Sequence, residues 1–324
     1  MRVPTLNPLA FLLNLVLGIL LALPANAGSY AYITNQGSHD VSVIDLKNNQ
    51  VVTTIKVGRS PVGVAASTKL ARVFISNVDG QSISVIDAKT NKTTQQIPIN
   101  GSPVGLALSS DNSKLYVADW FEDRILEFEA NTMKLLRQVK VEKAPAGLVA
   151  SPDGERLYVA NRDSNDVAVI NTAKFVVTTR VPVGKHPFGL AISRNGDWIY
   201  VVNVQENSLS AINLKDNKST TIPVGEHPYC AVVAPDGRFV YVTNTQGDSV
   251  SVIDTEQLKV IKTIAVGGFP EGIDYDSSTN RLYVANWFDN SVSVIDAKTN
   301  QLAHTIPTGI QSRAFGQFIA DVAH

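Results

Sequence analysis

The chain has 324 residues and is close to neutral, with 28 Lys+Arg against 29 Asp+Glu scattered along it without runs. Nucleic-acid binding needs a basic stripe or patch, so that partner class is excluded. The single cysteine, Cys230, excludes an internal disulfide framework, c-type haem attachment and cysteine-based zinc sites.

Residues 1–27 read as a leader. Arg2 supplies a positive charge, residues 9–23 are an apolar run broken only by Asn14 and Gly18, and Ala25-Asn26-Ala27 is a small-x-small cleavage pattern. The run is short for a bilayer span, and no other segment approaches one. Cys230 lies too far from the leader to anchor a lipid at the cleavage point. The expectation is cleavage after Ala27, export to the periplasm or beyond it, and no membrane insertion of the mature chain. Residues 28–324 then form one domain.

From there a tetrapeptide keeps time. Tyr32-Ile-Thr-Asn35 returns as Phe74-Ile-Ser-Asn77, Tyr116-Val-Ala-Asp119, Tyr158-Val-Ala-Asn161, Tyr200-Val-Val-Asn203, Tyr241-Val-Thr-Asn244 and Tyr283-Val-Ala-Asn286. The step is 42 residues, once 41. A second marker, Val-Ile-Asp, ends at Asp45, Asp87, Asp254 and Asp296, with counterparts ending at Glu129, Asn171 and Asn213. Two markers in phase seven times define seven repeats.

Each repeat holds four strand-like runs. In one copy these are 189–193 (GLAIS), 198–203 (WIYVVN), 208–213 (SLSAIN) and 219–224, with turns at 194–197 and 214–217. Val, Ile, Thr and Tyr in alternation favour strands. The turns carry Pro-Asp-Gly (152–154, 235–237) or Lys-Thr-Asn (89–91, 298–300), residues that tolerate turn dihedrals. No segment keeps a helical period over three turns. Four short antiparallel strands repeated radially make a propeller blade. The expected fold is all-β, a seven-bladed β-propeller of four-stranded antiparallel blades. The first blade lacks an innermost strand, and the surplus segment 313–319 is expected to supply it, closing the ring with N- and C-terminal strands in one blade.

These repeats resemble the YVTN-type β-propeller family, whose tetrapeptide Tyr241-Val-Thr-Asn244 matches letter for letter. The resemblance covers residues 28–319. It implies the fold firmly and the activity hardly at all. Related seven-bladed architectures include lactonase-like enzymes, the haem d1-binding propeller of a nitrite reductase and the large subunit of methylamine dehydrogenase.

Alternating strand direction places the loop leading into each blade and the loop after the tetrapeptide on one face, and both turn types on the other. Positions alike in all repeats serve the blade; departures are free to serve a ligand. The Asn or Asp ending each tetrapeptide is expected to cap a tight turn, and the Asp45 set to satisfy turn N–H groups. Trp120-Phe121 and Trp287-Phe288 appear in two blades where the others are polar, which marks a contact surface. His186 and His227 take equivalent places in consecutive blades and are the metal candidates, thin without nearby carboxylates. His39 lies on the same face.

The residue after each lead-in proline points toward the central channel: Val62, Val104, Ala146, Phe188, Tyr229 and Glu271, with Phe315 or Arg313 in the seventh place. Glu271 and Arg313 put opposite charges at the seam. Cys230 replaces a glycine and reads as a buried apolar residue. No phosphate loop, zinc motif or nucleophile elbow is present. The leading expectation is a non-enzymatic binding module, monomeric and without cofactor. It takes an unidentified protein or small molecule at the loop face and channel mouth, and no residue is assigned to catalysis. The alternatives are a lactonase-like or redox-associated enzyme at the mouth, and a surface-layer or adhesive module.

Overall fold

The computed structural model of the chain describes residues 27–216 and 218–323. The expected leader up to residue 26, and Asn217 of the expected turn at 214–217, lie outside the described residues.

The alternating runs assemble into seven sheets, six of four strands and one of five. Strands follow one another antiparallel from the axis outward, and inner strands of successive blades touch around that axis. In the fifth blade the order is Pro187–Ile192, Trp198–Asn203, Ser208–Asn213 and Ser219–Pro223, within two residues of expectation. Among the described residues the helical pieces are two three-residue 3₁₀ turns, Arg162–Ser164 and Val204–Glu206.

Burial explains the sequence pattern. The second and third strands are covered on both faces by neighbouring blades, as in Phe239–Asn244 and Ser249–Asp254. Outer strands such as Lys92–Pro98 are exposed almost throughout and carry Lys, Thr and Gln, which blunts the sheet edge. The tetrapeptide aromatic is buried in every blade. In the sixth and seventh blades its hydroxyl reaches the next blade: Tyr241 donates to Asn300 Oδ1 at 3.1 Å, and Tyr283 to Asn49 Oδ1 at 2.9 Å.

The residue ending the tetrapeptide does not cap a turn as expected. Asn244 Nδ2 donates to the hydroxyls of Ser249 and Ser251, and Asn286 Nδ2 to those of Ser291 and Ser293. The reason is register. Asn244 sits fully buried opposite Ser249 on the adjacent strand, and its amide bonds sideways across the sheet. The Asp45 set behaves as expected; Asp296, for example, accepts from the N–H groups of Lys298 and Thr299, bonds that hold its carboxyl below the usual range. In the third blade the pair is rewritten as Asp119 and Arg124, joined at 2.9 Å.

Closure occurs in the expected blade but not with the expected strand. Ile319–Ala323 pairs antiparallel with Ala27–Asn35, giving the first blade its inner strand. Phe315–Gln317 instead leaves that blade and runs parallel to the second blade's inner strand, Pro61–Ser67. Two positive dihedrals turn the chain, Ala314 at φ 51° and Gly316 at φ 119°. Asp274 then recaptures it, accepting the N–H groups of Phe318 and Ile319 at 2.8 and 2.9 Å.

Removal of residues 313–324 strips both the closing strand and the channel segment. Soluble yield is expected to fall sharply, because two sheet edges open. A truncated chain with an unchanged melting temperature would place the seam elsewhere. Replacing Arg124 by Ala leaves the fully buried Asp119 carboxylate unpaired and is expected to cost about 3–5 kcal/mol in chemical denaturation. Asp119→Asn combined with Arg124→Ser, which copies the Asn–Ser pairs of sister blades, is expected to recover most of it.

Candidate functional site

The lead-in loops set the geometry of one face. The residue before the lead-in proline is left-handed at Ser60, Ala144, His186, His227 and Phe269, and so is its counterpart Gln311, which precedes Ser312. Each donates its N–H to a side chain from the preceding blade, respectively His39, Asp123, Asn165, Asn207, Asp248 and Asn290, at 2.7–3.1 Å. These bonds tie neighbouring blades together around the mouth. They also give His39 a structural place, since its Nδ1 accepts the Ser60 N–H.

Below the loops the post-proline residues converge as expected. Val62, Val104, Ala146 and Phe188 join Phe315 in one buried cluster, with Trp120 and Tyr229 packed against it. Phe188 stacks 4.3 Å from Tyr229 and 4.9 Å from Phe315, between ring centroids. Arg313 takes the seventh place, and Phe315 fills the axis itself. The guanidinium pairs with Glu271 through Nε, and its Nη2 donates to the Tyr229 hydroxyl at 2.6 Å. Burial alone would lower the Arg313 pKa, but the Glu271 carboxylate and Tyr229 oxygen hold it above the ordinary value. Burial pushes the Glu271 carboxyl up, and Arg313 opposes that shift. The mouth therefore ends in a solid cap.

The tryptophans sit differently from their phenylalanine neighbours. Trp120 is half-buried, 5.9 Å from the Phe188 ring, with the Arg162 guanidinium 5.6 Å from its own ring centre. Trp287 is half-buried against Phe269 and donates through Nε1 to Gln36 Oε1, which also accepts from Arg313 Nη1. Phe121 is 76% exposed and Phe288 64%.

His186 and His227 stand on the same face through their loops. The His186 Nδ1 is buried without a partner, and burial followed by the nearby Arg162 charge lowers its pKa. Among the described residues no three His, Cys, Asp or Glu side chains gather to hold a metal ion. The Cys230 thiol is buried at 6% exposure, and burial raises its pKa well above the ordinary value. That disfavours the thiolate a nucleophile needs.

Sequence reasoning missed a second feature, on the far side of the cap. A cavity of about 440 Å³ runs along the axis toward the Pro-Asp-Gly turns, walled by inner strands and floored by Phe315. Asp274 lines it, with its carboxyl pushed up to about 6 by burial against three backbone N–H bonds. The repeat comparison contained the signal. Asp274 stands four residues after its lead-in proline, where the other blades carry Ala65, Ala107, Val149, Ala191 and Val232.

Comparison with known proteins agrees with this architecture. Solved structures of similar fold include the following three. Hydrazine synthase of Kuenenia stuttgartiensis has a TM-score of 0.70 at 21% identity, over 78% of this chain and 87% of that one. A functionally unknown protein from Desulfotomaculum acetoxidans reaches 0.79 at 14% identity, over 90% and 98%. The dihydro-haem d1 dehydrogenase NirN, in complex with DHE, gives 0.65 at 16% identity, over 85% of this chain and 63% of that one. At these identities the likeness is one of fold. No curated protein sequence matches the chain. The sequence model of the lactonase, 7-bladed β-propeller family matches residues 23–174 and 231–309, and the chain belongs to that family.

Proposed function

We propose that the chain is an exported, YVTN-type propeller that works without catalysis, as a monomer, and binds a protein partner on the face bearing the lead-in loops. The observation that carries this reading is the pair of exposed rings, Phe121 and Phe288, each seated beside a half-buried tryptophan. Large apolar side chains left in water on a rigid base are the usual anchors of recognition. The capped mouth between them offers a floor for contact. Both tryptophans are half-buried, and Trp287 also supports the Phe288 ring at 4.9 Å, so the contact shifts outward from Trp120 and Trp287 to the phenylalanines.

A second reading is lactonase-like hydrolysis, favoured by the family match and by a carboxyl with a raised pKa on a cavity wall. It ranks lower because both oxygens of Asp274 already accept backbone N–H groups.

Burying a large apolar side chain contributes about 1.5–3 kcal/mol, so losing both rings weakens binding by at least roughly a hundredfold. Phe121→Ser with Phe288→Ser is expected to leave the melting temperature unchanged while capture of partner from a native extract falls by that factor. Trp120→Gln or Trp287→Arg is expected to lower the melting temperature by several degrees. Unchanged capture by the double phenylalanine variant would remove the main support for this face.

Export is tested separately. N-terminal sequencing of the native protein is expected to begin at Gly28, and recovery of Met1 from membranes would overturn it.

A further inference from the structure

The axial cavity has a construction that suits one kind of occupant. Its walls include the inner strands Pro103–Leu108, Pro145–Ala150, Pro187–Ile192 and Pro228–Val233, each the last strand of its sheet on the channel side. Their axial edges carry no further strand. The second blade differs, because Phe315–Gln317 covers its edge in parallel register, pairing Phe315 with Gly63, Gly316 with Val64 and Gln317 with Ala65. The protein thus already lays one extended segment of its own chain along an inner-strand edge inside this channel.

The remaining walls tell the charge and size of what fits. Half-buried aliphatic side chains face the space, among them Leu108, Val149, Ile192 and Val232. No Lys, Arg, His or Glu lines it, and the single ionisable carboxylate, Asp274, spends both oxygens on backbone N–H groups. A charged ligand would lose its hydration there without gaining a counter-charge. The volume of about 440 Å³ falls within the range of ordinary small-ligand sites.

We propose that this cavity binds a short, uncharged, extended peptide that adds to the open inner-strand edges. It continues inside the channel the pairing that Phe315–Gln317 makes with the second blade. Main-chain hydrogen bonds supply the affinity, and the aliphatic walls select small apolar side chains. The site is separate from the loop face, on the opposite side of the Phe315 cap.

Cys230 lines the cavity and is the only cysteine; burial makes it slow to react, so its modification is followed at alkaline pH, where the rate reports access through the cavity. The probe is an acetylated, amidated tetrapeptide of alanine, valine and glycine, compared with the same peptide carrying one lysine or one glutamate. The neutral peptide is expected to bind in calorimetry and to slow modification of Cys230 by a small neutral thiosulfonate by at least roughly tenfold, with the charged peptides weaker by a similar factor. Ser110 is exposed at the cavity rim, so Ser110→Trp obstructs access without touching the core. It is expected to abolish both effects at an unchanged melting temperature. Failure of the neutral peptide to bind or to protect Cys230 would overturn the proposal. So would protection that survives Ser110→Trp, or a neutral sugar lactone that binds where the peptide does not.

Discussion

Seven sheets close into a ring only if their inner strands come into backbone contact at the axis, and the rest of the molecule follows from that crowding. The lead-in glycines answer it. A Cβ at Gly63, Gly105, Gly147 or Gly189 would overlap the carbonyl oxygen of the next blade's Val104, Ala146, Phe188 or Tyr229, and one at Gly272 that of Ala314. Two junctions lack the glycine, at Cys230 and Ala314. Each has a threonine hydroxyl between the neighbouring inner strands, the bridge that Ser76 makes beside Gly63, accepting its N–H and donating to Val104 O. Thr243 accepts the Cys230 N–H and donates to Glu271 O, and Thr34 accepts the Ala314 N–H and donates to Val62 O. Close backbone approach and a bridging hydroxyl both join the inner strands, and at Gly63 they occur together.

Whatever repeats was legible in the sequence. The phase of Tyr241-Val-Thr-Asn244 and its sister copies located the second strands to the residue, because burial between blades demands the same pattern in each copy. The convergence of Val62, Val104, Ala146 and Phe188 followed from the same logic. What the repeat could not convey was the seam, which occurs once. Residues 313–319 have the composition of an inner strand, yet a left-handed Ala314 and Gly316 divert them into the channel. Local pattern marks this segment as a strand, and only the tertiary capture of Phe318 and Ile319 by Asp274 fixes which sheet receives the chain.

Departures from the repeat divide into two kinds once their surroundings are known. Some are compensated scaffold changes. Asp119 is charged where its sisters are amides, and Arg124 arrives five residues later, where other blades carry Ser82, Ser208, Ser249 and Ser291. His39 stands where Asp248 or Asn290 cap the next loop, and it does the same task with an imidazole nitrogen. Others leave most of a large ring in water, even where, as at Phe288, its edge meets Phe269 and Trp287. Phe121 and Phe288 project into solvent although the blades that lack them fold with polar residues there. Type of residue alone did not separate the tryptophans from the phenylalanines. Position did, since the first residue of each pair is half-buried and the second is exposed.

The cap makes the two ends of the channel chemically unlike. A buried ion pair is a poor source of stability, because desolvation of both charges offsets most of their attraction, and apolar side chains of the same volume would serve as well. Directionality is what Glu271 and Arg313 add. The planar guanidinium has donors fixed in a fork, and here they point at Glu271 and the Tyr229 hydroxyl, from the two preceding blades, and at Gln36 of the first blade's own loop. Arg313 lies two residues before Phe315, so orienting its fork orients the segment that plugs the axis. An aliphatic residue at the seventh place would fill the same space but leave the departing chain free to choose its rotation. With the ion pair, the plug has one orientation, its aromatic ring closing the loop face and its open backbone turned along the cavity beneath.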